Sequence, residues 1–264
     1  MATSPTGQLP LGRTLVLVAH ADDDAVGCGA LLQRMREPLV VLATDGAPFD
    51  PYFWRAHGSR EALAVIRSRE AKAAAAALGI RSPLYLWGED VPFVDQELFR
   101  HLPRAWEHLD ALIQRERPQA LLTSAYEGGH PDHDACAFLS YVADREWKLP
   151  VWEVPLYHRS LDGIGVRQEF MAPNGSEVAL EPSSKELERK RRAWLAYESQ
   201  RDTVEHFDPR IERFRPQAAY DFTLPPHSGV LNYESWQWRM TGAEVATEFA
   251  RFLQAHAAAR ELAS

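Results

Sequence analysis

Two short segments of the chain concentrate imidazole and carboxylate groups. Residues 19–24 read Ala-His-Ala-Asp-Asp-Asp, and residues 128–133 read Gly-Gly-His-Pro-Asp-His. Imidazole plus carboxylate is a ligand set for a divalent transition metal such as zinc. His20 and Asp23 stand three apart in the first segment, and the second supplies His133. A His₂Asp set leaves coordination positions open, which is the catalytic kind of site. Asp22 and Asp23 are adjacent and should point different ways, so one can bind metal while the other faces a water on it. Zinc lowers the pKa of its water ligand to about 7 and polarises a carbonyl, and a carboxylate in reach can accept the water proton. Each segment alone has a bland reading: Asp after a strand is often a helix cap, and a lone His in a loop is merely polar. The pair together points to a metal site.

Both segments sit where strands should end. Thr14–His20 is a continuous apolar run, as in a strand buried on both faces, and Leu39–Thr44 is a second. Leu84–Trp87 and Ala120–Ser124 read as third and fourth strands. Helical segments alternate with them: Ala25–Met35, Ser59–Leu78 with a Ser cap and a Gly79 stop, Gln96–Arg115 and Asp132–Asp144. The pattern predicts an α/β protein with a Rossmann-like, mainly parallel sheet flanked by helices. In such a sheet, loops at the carboxyl ends of strands meet beside the switch in strand order, which brings the two His/Asp segments together. After Pro150 the pattern changes. Val151–Tyr157 and Val166–Met171 read as strands, Asn174-Gly175 as a hairpin signal, Ser183 with Glu186 as a capping box, and Thr241-Gly242 as the entry to a last helix. We expect one domain over 1–264, with a front half (1–150) carrying both loops and a rear elaboration (151–264) completing the pocket.

The chain has 264 residues and a formal net charge of −8, with 45% hydrophobic and 25% charged residues. This is an ordinary soluble composition, long enough to bury a core without disulfides. The acidic balance argues against a general nucleic-acid binder or an anionic-membrane binder. No segment is apolar enough for membrane insertion, and Met1–Gly12 does not read as a signal peptide. Two cysteines, Cys28 and Cys136, are too few for a disulfide framework and fit a reducing, cytoplasmic setting. Homo-oligomerisation is left open.

The segments AHADDD and GGHPDH resemble the signatures of the PIG-L/LmbE-type family of zinc-dependent N-acetylglucosaminyl deacetylases, an A-H-P-D-D-E loop and a G-G-H-P-D-H loop. Gly27-Cys28-Gly29, Thr44-Asp45-Gly46, the Arg67–Ala71 stretch and Tyr197–Gln200 match too, so the likeness runs to about residue 200. The resemblance implies metal ligands His20, Asp23 and His133, holding zinc, with ferrous iron equally suited to such a set. It implies Asp22 as general base, and His130 as oxyanion stabiliser or proton donor with Asp132 holding its ring. Ala21 replaces the usual Pro and Asp24 the usual Glu. Some members carry a Tyr where Gly128 stands here, and Tyr126 has the wrong offset.

The resemblance also implies substrate contacts from Arg67, whose bland alternative is a surface salt bridge to Glu70 or Glu61, and from Asp95. The aromatic loop 48–58 offers Trp54 and His57 as walls for a sugar ring or acyl chain, together with Tyr52 and Phe53. His227, Trp236 and Trp238 are candidates to close the pocket. Cys28 and Cys136 read as buried small hydrophobes. The expected activity is hydrolysis of an N-acylated amino sugar, such as an N-acetylglucosamine derivative, by attack of a water held on the metal. Alternatives are an amidase acting on another small N-acyl compound, such as a thiol-cofactor conjugate or a glycosylated natural product, and a non-catalytic Rossmann-like binding protein. The last should lack a ligand or the base, yet all are present.

Overall fold

The structure is a computed structural model and describes residues 9–263. The reading of Met1–Gly12 therefore lies mostly outside the described residues. The front half runs β1 (Arg13–Val18), α1 (Asp23–Arg34), β2 (Glu37–Leu42), α2 (Pro51–Trp54), α3 (Arg60–Leu78), β3 (Leu84–Tyr85), α4 (Leu102–Glu116), β4 (Ala120–Ser124) and α5 (Pro131–Trp147). The rest comprises β5 (Val151–Val154), β6 (Tyr157–Arg159), β7 (Gly165–Arg167), β8 (Val178–Leu180), α6 (Ser184–Leu195), α7 (Arg201–Val204), β9 (Glu212–Pro216), α8 (Asn232–Ser235) and α9 (Gly242–Ala263).

Seven strands form one sheet in the order β3-β2-β1-β4-β5-β9-β8. The first five are parallel, with Leu15 opposite Leu39 on one side and Leu121 on the other. β9 and β8 extend the sheet antiparallel, so both halves of the chain share it. The apolar strands are explained by burial on both faces. Leu15 and Leu17 of β1 face a core with Leu109 of α4, Phe138 of α5 and Phe249 of α9. Val16 and Val18 face a second core with Leu31 of α1, Ala74 of α3 and Ala193 of α6.

The rear half also braces the front. α1 breaks at Cys28 (φ −143°, ψ 22°). The N–H groups of Ala30 and Leu31, freed by the break, donate to the Glu212 carboxylate of β9 at 2.6 and 3.0 Å. Lys190 of α6 donates to Glu212 at 2.6 Å, and both side chains are fully buried. Glu212 therefore acts as a cap inside α1, neutralised by Lys190.

Four expected elements differ. The strand expected over Val166–Met171 ends at Arg167, where Gln168 turns left-handed at φ +56°. The strand Val151–Tyr157 divides at Pro155-Leu156 into β5 and β6, because Pro155 has no N–H for the ladder. The hairpin is β6–β7, closed over Ser160–Ile164 with Gly163 at φ +80°. Asn174-Gly175 makes a turn, but β8 beyond it pairs with β9 instead of with β7. The helix expected from Gln96 starts at Leu102, since Gln96 is left-handed at φ +71° and a 3₁₀ turn intervenes. The capping box of Ser183 and Glu186 is present.

Candidate metal centre

The switch in strand order falls between β1 and β4, and both His/Asp loops leave the sheet there. After β1, the backbone at Asp22 adopts φ 145°, ψ −33°, which costs a non-glycine residue on the order of 1–3 kcal/mol. Arg67 of α3 holds it. Its Nη2 donates to the Ala21 carbonyl at 3.1 Å and to Asp22 Oδ1 at 3.0 Å, and its Nη1 donates to the Gly46 carbonyl at 2.8 Å. Gly46 is required: a Cβ there would lie 2.8 Å from Arg67 Nε. The three carboxylates diverge, as their adjacency predicts. Asp22 faces Arg67, Asp23 faces His20 and His133, and Asp24 accepts from the Tyr197 hydroxyl at 3.3 Å.

After β4, Gly128 is left-handed at φ +68°, and a Cβ on Gly129 would sit 1.9 Å from the Tyr157 carbonyl oxygen. Asp134 closes the loop by accepting from the Gly128 N–H at 3.0 Å. His130 caps α5: its Nδ1 accepts from the Asp132 N–H at 3.1 Å. This leaves Nε2 as the hydrogen-bearing nitrogen. The expectation that the Asp132 side chain holds this ring is corrected here. Its carboxylate is 4.0 Å from His130 Nδ1 and instead accepts from the N–H groups of Gln96 and Leu98, at 2.6 and 3.0 Å. The backbone of Asp132 orients His130, while its carboxylate anchors the loop that carries Asp95.

The side chains converge in a buried cluster. Asp23 Oδ2 lies 3.3 Å from His20 Nδ1 and 3.2 Å from His133 Nε2. A tetrahedral ion with ligand bonds of about 2.1 Å separates its ligand atoms by roughly 3.4 Å, and both edges match. The other face of His20 supports this tautomer: Nε2 looks at Asp95 Oδ1 (3.2 Å) and Asp132 Oδ2 (3.5 Å), leaving Nδ1 free to ligate. His133 Nε2 is buried and makes no hydrogen bond, so this donor atom is left for a bound cation. Nitrogens of His20, His130 and His133 lie within 4.8 Å of one another, as do ligand atoms of His20, Asp95, His130 and Asp132.

The electrostatics separate the carboxylates. Burial opposes ionisation of Asp23, but His133 and His20 outweigh it and hold its pKa well below the usual range. Asp95 is likewise held low, burial being overcome by His20 and His130. Burial pushes Asp22 up to about 7, against the pull of Arg67. Burial and the His20 charge lower His130, with Asp95 opposing.

The cluster floors a cleft of about 1130 Å³, whose walls include Phe49, Tyr52 and Phe53 on one side and Tyr157, Trp236 and Trp238 from the rear half. The expected contact residues fare differently. Asp95 sits at the centre, 3.2 Å from His20 and 3.3 Å from His130. Arg67 borders the cleft but is buried and directs its Nη atoms at protein oxygens. The surface salt bridge does not form, because Glu70 accepts from the N–H and hydroxyl of Ser199 at 2.8 and 2.7 Å. Trp54 and His57 are absent from the cleft wall. The cleft takes Phe49, Asp50, Tyr52, Phe53, Arg55 and Ala56 from this segment instead. His227 is also off the wall, its Nδ1 accepting from the Gly229 N–H at 3.0 Å. Cys28 and Cys136 are buried and unpaired.

One residue escaped the sequence reading. Tyr157 packs its ring 5.3 Å from that of His133. Only the glycine forced by its carbonyl at position 129 marks it locally.

Fold and site define an α/β protein with a His/Asp metal centre at the switch point of its sheet. Residues 15–143 match the family model of GlcNAc-PI de-N-acetylase, PIG-L. That stretch of the chain is a PIG-L family domain. It is 34% identical over 150 residues to a 1D-myo-inositol 2-acetamido-2-deoxy-alpha-D-glucopyranoside deacetylase of Nocardioides sp., covering 46% of this chain and 50% of the relative. The chain thus matches only half the length of that relative. It is 26% identical over 196 residues to a probable N-acetyl-alpha-D-glucosaminyl L-malate deacetylase of Bacillus cereus, covering 72% and 84%. The zinc-inhibited form of a teicoplanin deacetylase superposes with a TM-score of 0.58 at 18% identity, covering 77% of this chain and 97% of that one, which is a likeness of fold. No helix among the described residues is long and apolar enough to cross a membrane.

Proposed function

We propose that the protein is a zinc-dependent N-deacetylase that hydrolyses the amide of an N-acetylated amino sugar, of the N-acetylglucosamine type. The observation that carries this reading is the pair of 3.2–3.3 Å edges from Asp23 to His20 and His133, with Asp22 alongside. The PIG-L domain over residues 15–143 and the names of the relatives support the substrate class. The ligands are His20 Nδ1, Asp23 Oδ2 and His133 Nε2. When bound, the ion supplies Lewis acidity, polarising the acyl carbonyl and acidifying a water.

The chain's own residues do the rest. Asp22 accepts a proton from the attacking water, and its pKa near 7 suits a group that takes and returns one near neutrality. Arg67 acts through Asp22 and is a positioning residue. His130 carries its hydrogen on Nε2, shared between Asp95 Oδ1 at 3.3 Å and the oxyanion as the carbonyl becomes tetrahedral. Asp95 orients the His20 and His130 rings and reaches the sugar side of the cleft. The size and aromatic walls of the cleft favour a glycoconjugate over a free monosaccharide. Two free, buried thiols favour a reducing, cytoplasmic compartment.

The test is acetate release from N-acetylglucosamine glycosides by zinc-loaded protein. Release that a chelator abolishes and zinc restores is expected. No release from any such glycoside at full zinc occupancy overturns the reading.

A further inference from the structure

In a chain of net charge −8, four arginines that line the cleft have no carboxylate partner among the described residues: Arg55, Arg159, Arg167 and Arg239. This contrasts with Arg13, Arg34, Arg60, Arg67 and Arg215, each paired at 3.0 Å or closer. Outside the metal cluster, the acidic residues of the cleft are Asp50, Glu97 and Asp202. Asp50 caps α2 and Glu97 pairs with Arg100 at 3.0 Å, which leaves Asp202 alone against four guanidinium groups.

The register of β6–β7 orients two of these arginines. Tyr157 pairs with Arg167 and Arg159 with Gly165. Tyr157, Arg159 and Arg167 therefore share one face of the hairpin, and Tyr157 places that face against His133. Arg159 and Arg167 are diagonal neighbours, about 7–8 Å apart at the backbone, and the Arg159 guanidinium lies over Gly163 of the hairpin turn. Two like charges on one face repel unless a ligand of opposite charge joins them. Guanidinium pairs take carboxylate and phosphate by two-pronged hydrogen bonds.

We propose that the β6–β7 hairpin is an anion subsite, in which Arg159 and Arg167, with Arg55 and Arg239 on the same cleft, bind a carboxylate or phosphate carried by the substrate beyond its acylamino sugar. This rests on the N-deacetylase reading and narrows it to acidic glycoconjugates. The subsite sets KM, whereas the metal cluster sets the chemistry.

The experiment compares three N-acetylglucosamine derivatives on zinc-loaded protein at low salt: the neutral methyl glycoside, the carboxymethyl glycoside and the 1-phosphate. KM is expected to be at least tenfold lower for one or both anionic compounds, the larger gain telling carboxylate from phosphate, and the advantage should shrink as sodium chloride is raised. In the R159A/R167A double variant the ratio of neutral to anionic KM should fall to about one, and R159K/R167K should recover part of it. Equal KM values in the wild type, or a ratio untouched by the double variant, overturn the subsite. A calorimetric comparison of the same ligands on Asp22→Asn protein gives the ratio without turnover. Absence of hydrolysis would then overturn only the activity, while equal affinities would overturn only the subsite.

Discussion

The front and rear halves of the chain contribute to the cleft in different ways. In front, most candidates for chemistry follow the carboxyl end of a strand buried on both faces: His20 to Asp23 after β1, Gly46 with its bond to Arg67 after β2, and His130 to His133 after β4, while Asp95 comes from the loop beyond the two-residue edge strand β3 and is held by the Asp132 carboxylate anchoring that loop. Behind, the strands are three to five residues long, and Tyr157, Arg159, Trp236 and Trp238 come from a small hairpin and irregular segments. Metal ligation and proton transfer demand placement within a fraction of an ångström, which packed strand ends supply. Substrate contact tolerates looser elements and is where relatives diverge. Besides the shared sheet, the halves are linked by the Glu212 carboxylate, neutralised by Lys190, which accepts from Ala30 and Leu31 of the helix that begins at the first metal loop.

This division can be broken at several points. His133→Ala should have the largest effect: bound zinc falling from about one ion per chain to a small fraction, and hydrolysis with it, since a three-ligand site loses a full ligand. Metal analysis showing full occupancy would remove His133 from the ligand set. Asp22→Asn should keep its zinc while kcat drops by about 10²–10⁴. Unaltered turnover in steady-state assays would end its role as base. Lys190→Met leaves the Glu212 carboxylate buried without a counter-charge and should cost about 3–5 kcal/mol in denaturant unfolding. A loss below about 1 kcal/mol would mean that the rear half does not brace α1. Trp236→Ala should have the smallest effect, raising KM about threefold to tenfold for a glycoconjugate, as expected for an aromatic contact of about 0.5–1.5 kcal/mol, with kcat changing less. A large kcat loss would blur the boundary between chemistry in front and specificity behind.

The parallel strands were legible because burial on both faces demands unbroken apolar runs; β4 spans Ala120–Ser124 in the reading and in the structure alike. The capping box at Ser183 was legible because it is a local reciprocal bond. The cleft wall was much less so. Aromatic residues at 52, 53, 54 and 57 look alike in sequence, and only the tertiary placement of this short segment puts Tyr52, still 67% exposed, and Phe53 on the cleft and leaves the half-buried Trp54 and His57 off it. The Asn174-Gly175 signal was read as a hairpin because turn chemistry is local, whereas the partner of β8 is chosen by the sheet.

Residue type and position along the chain determined which groups could ligate a metal: His20, Asp23 and His133 follow strands whose hydrophobicity alone places them at one sheet edge. Direction and pairing belonged to the tertiary structure. Only the fold shows that the Asp132 carboxylate holds the Asp95 loop while its N–H holds His130, that Arg67 serves Asp22, and that Tyr157 arrives beside His133 from a distant hairpin. The physical reason is range. Hydrophobic periodicity and capping act over a few residues and are written locally, whereas a buried polar group takes whichever partner the packed chain brings within about 3 Å.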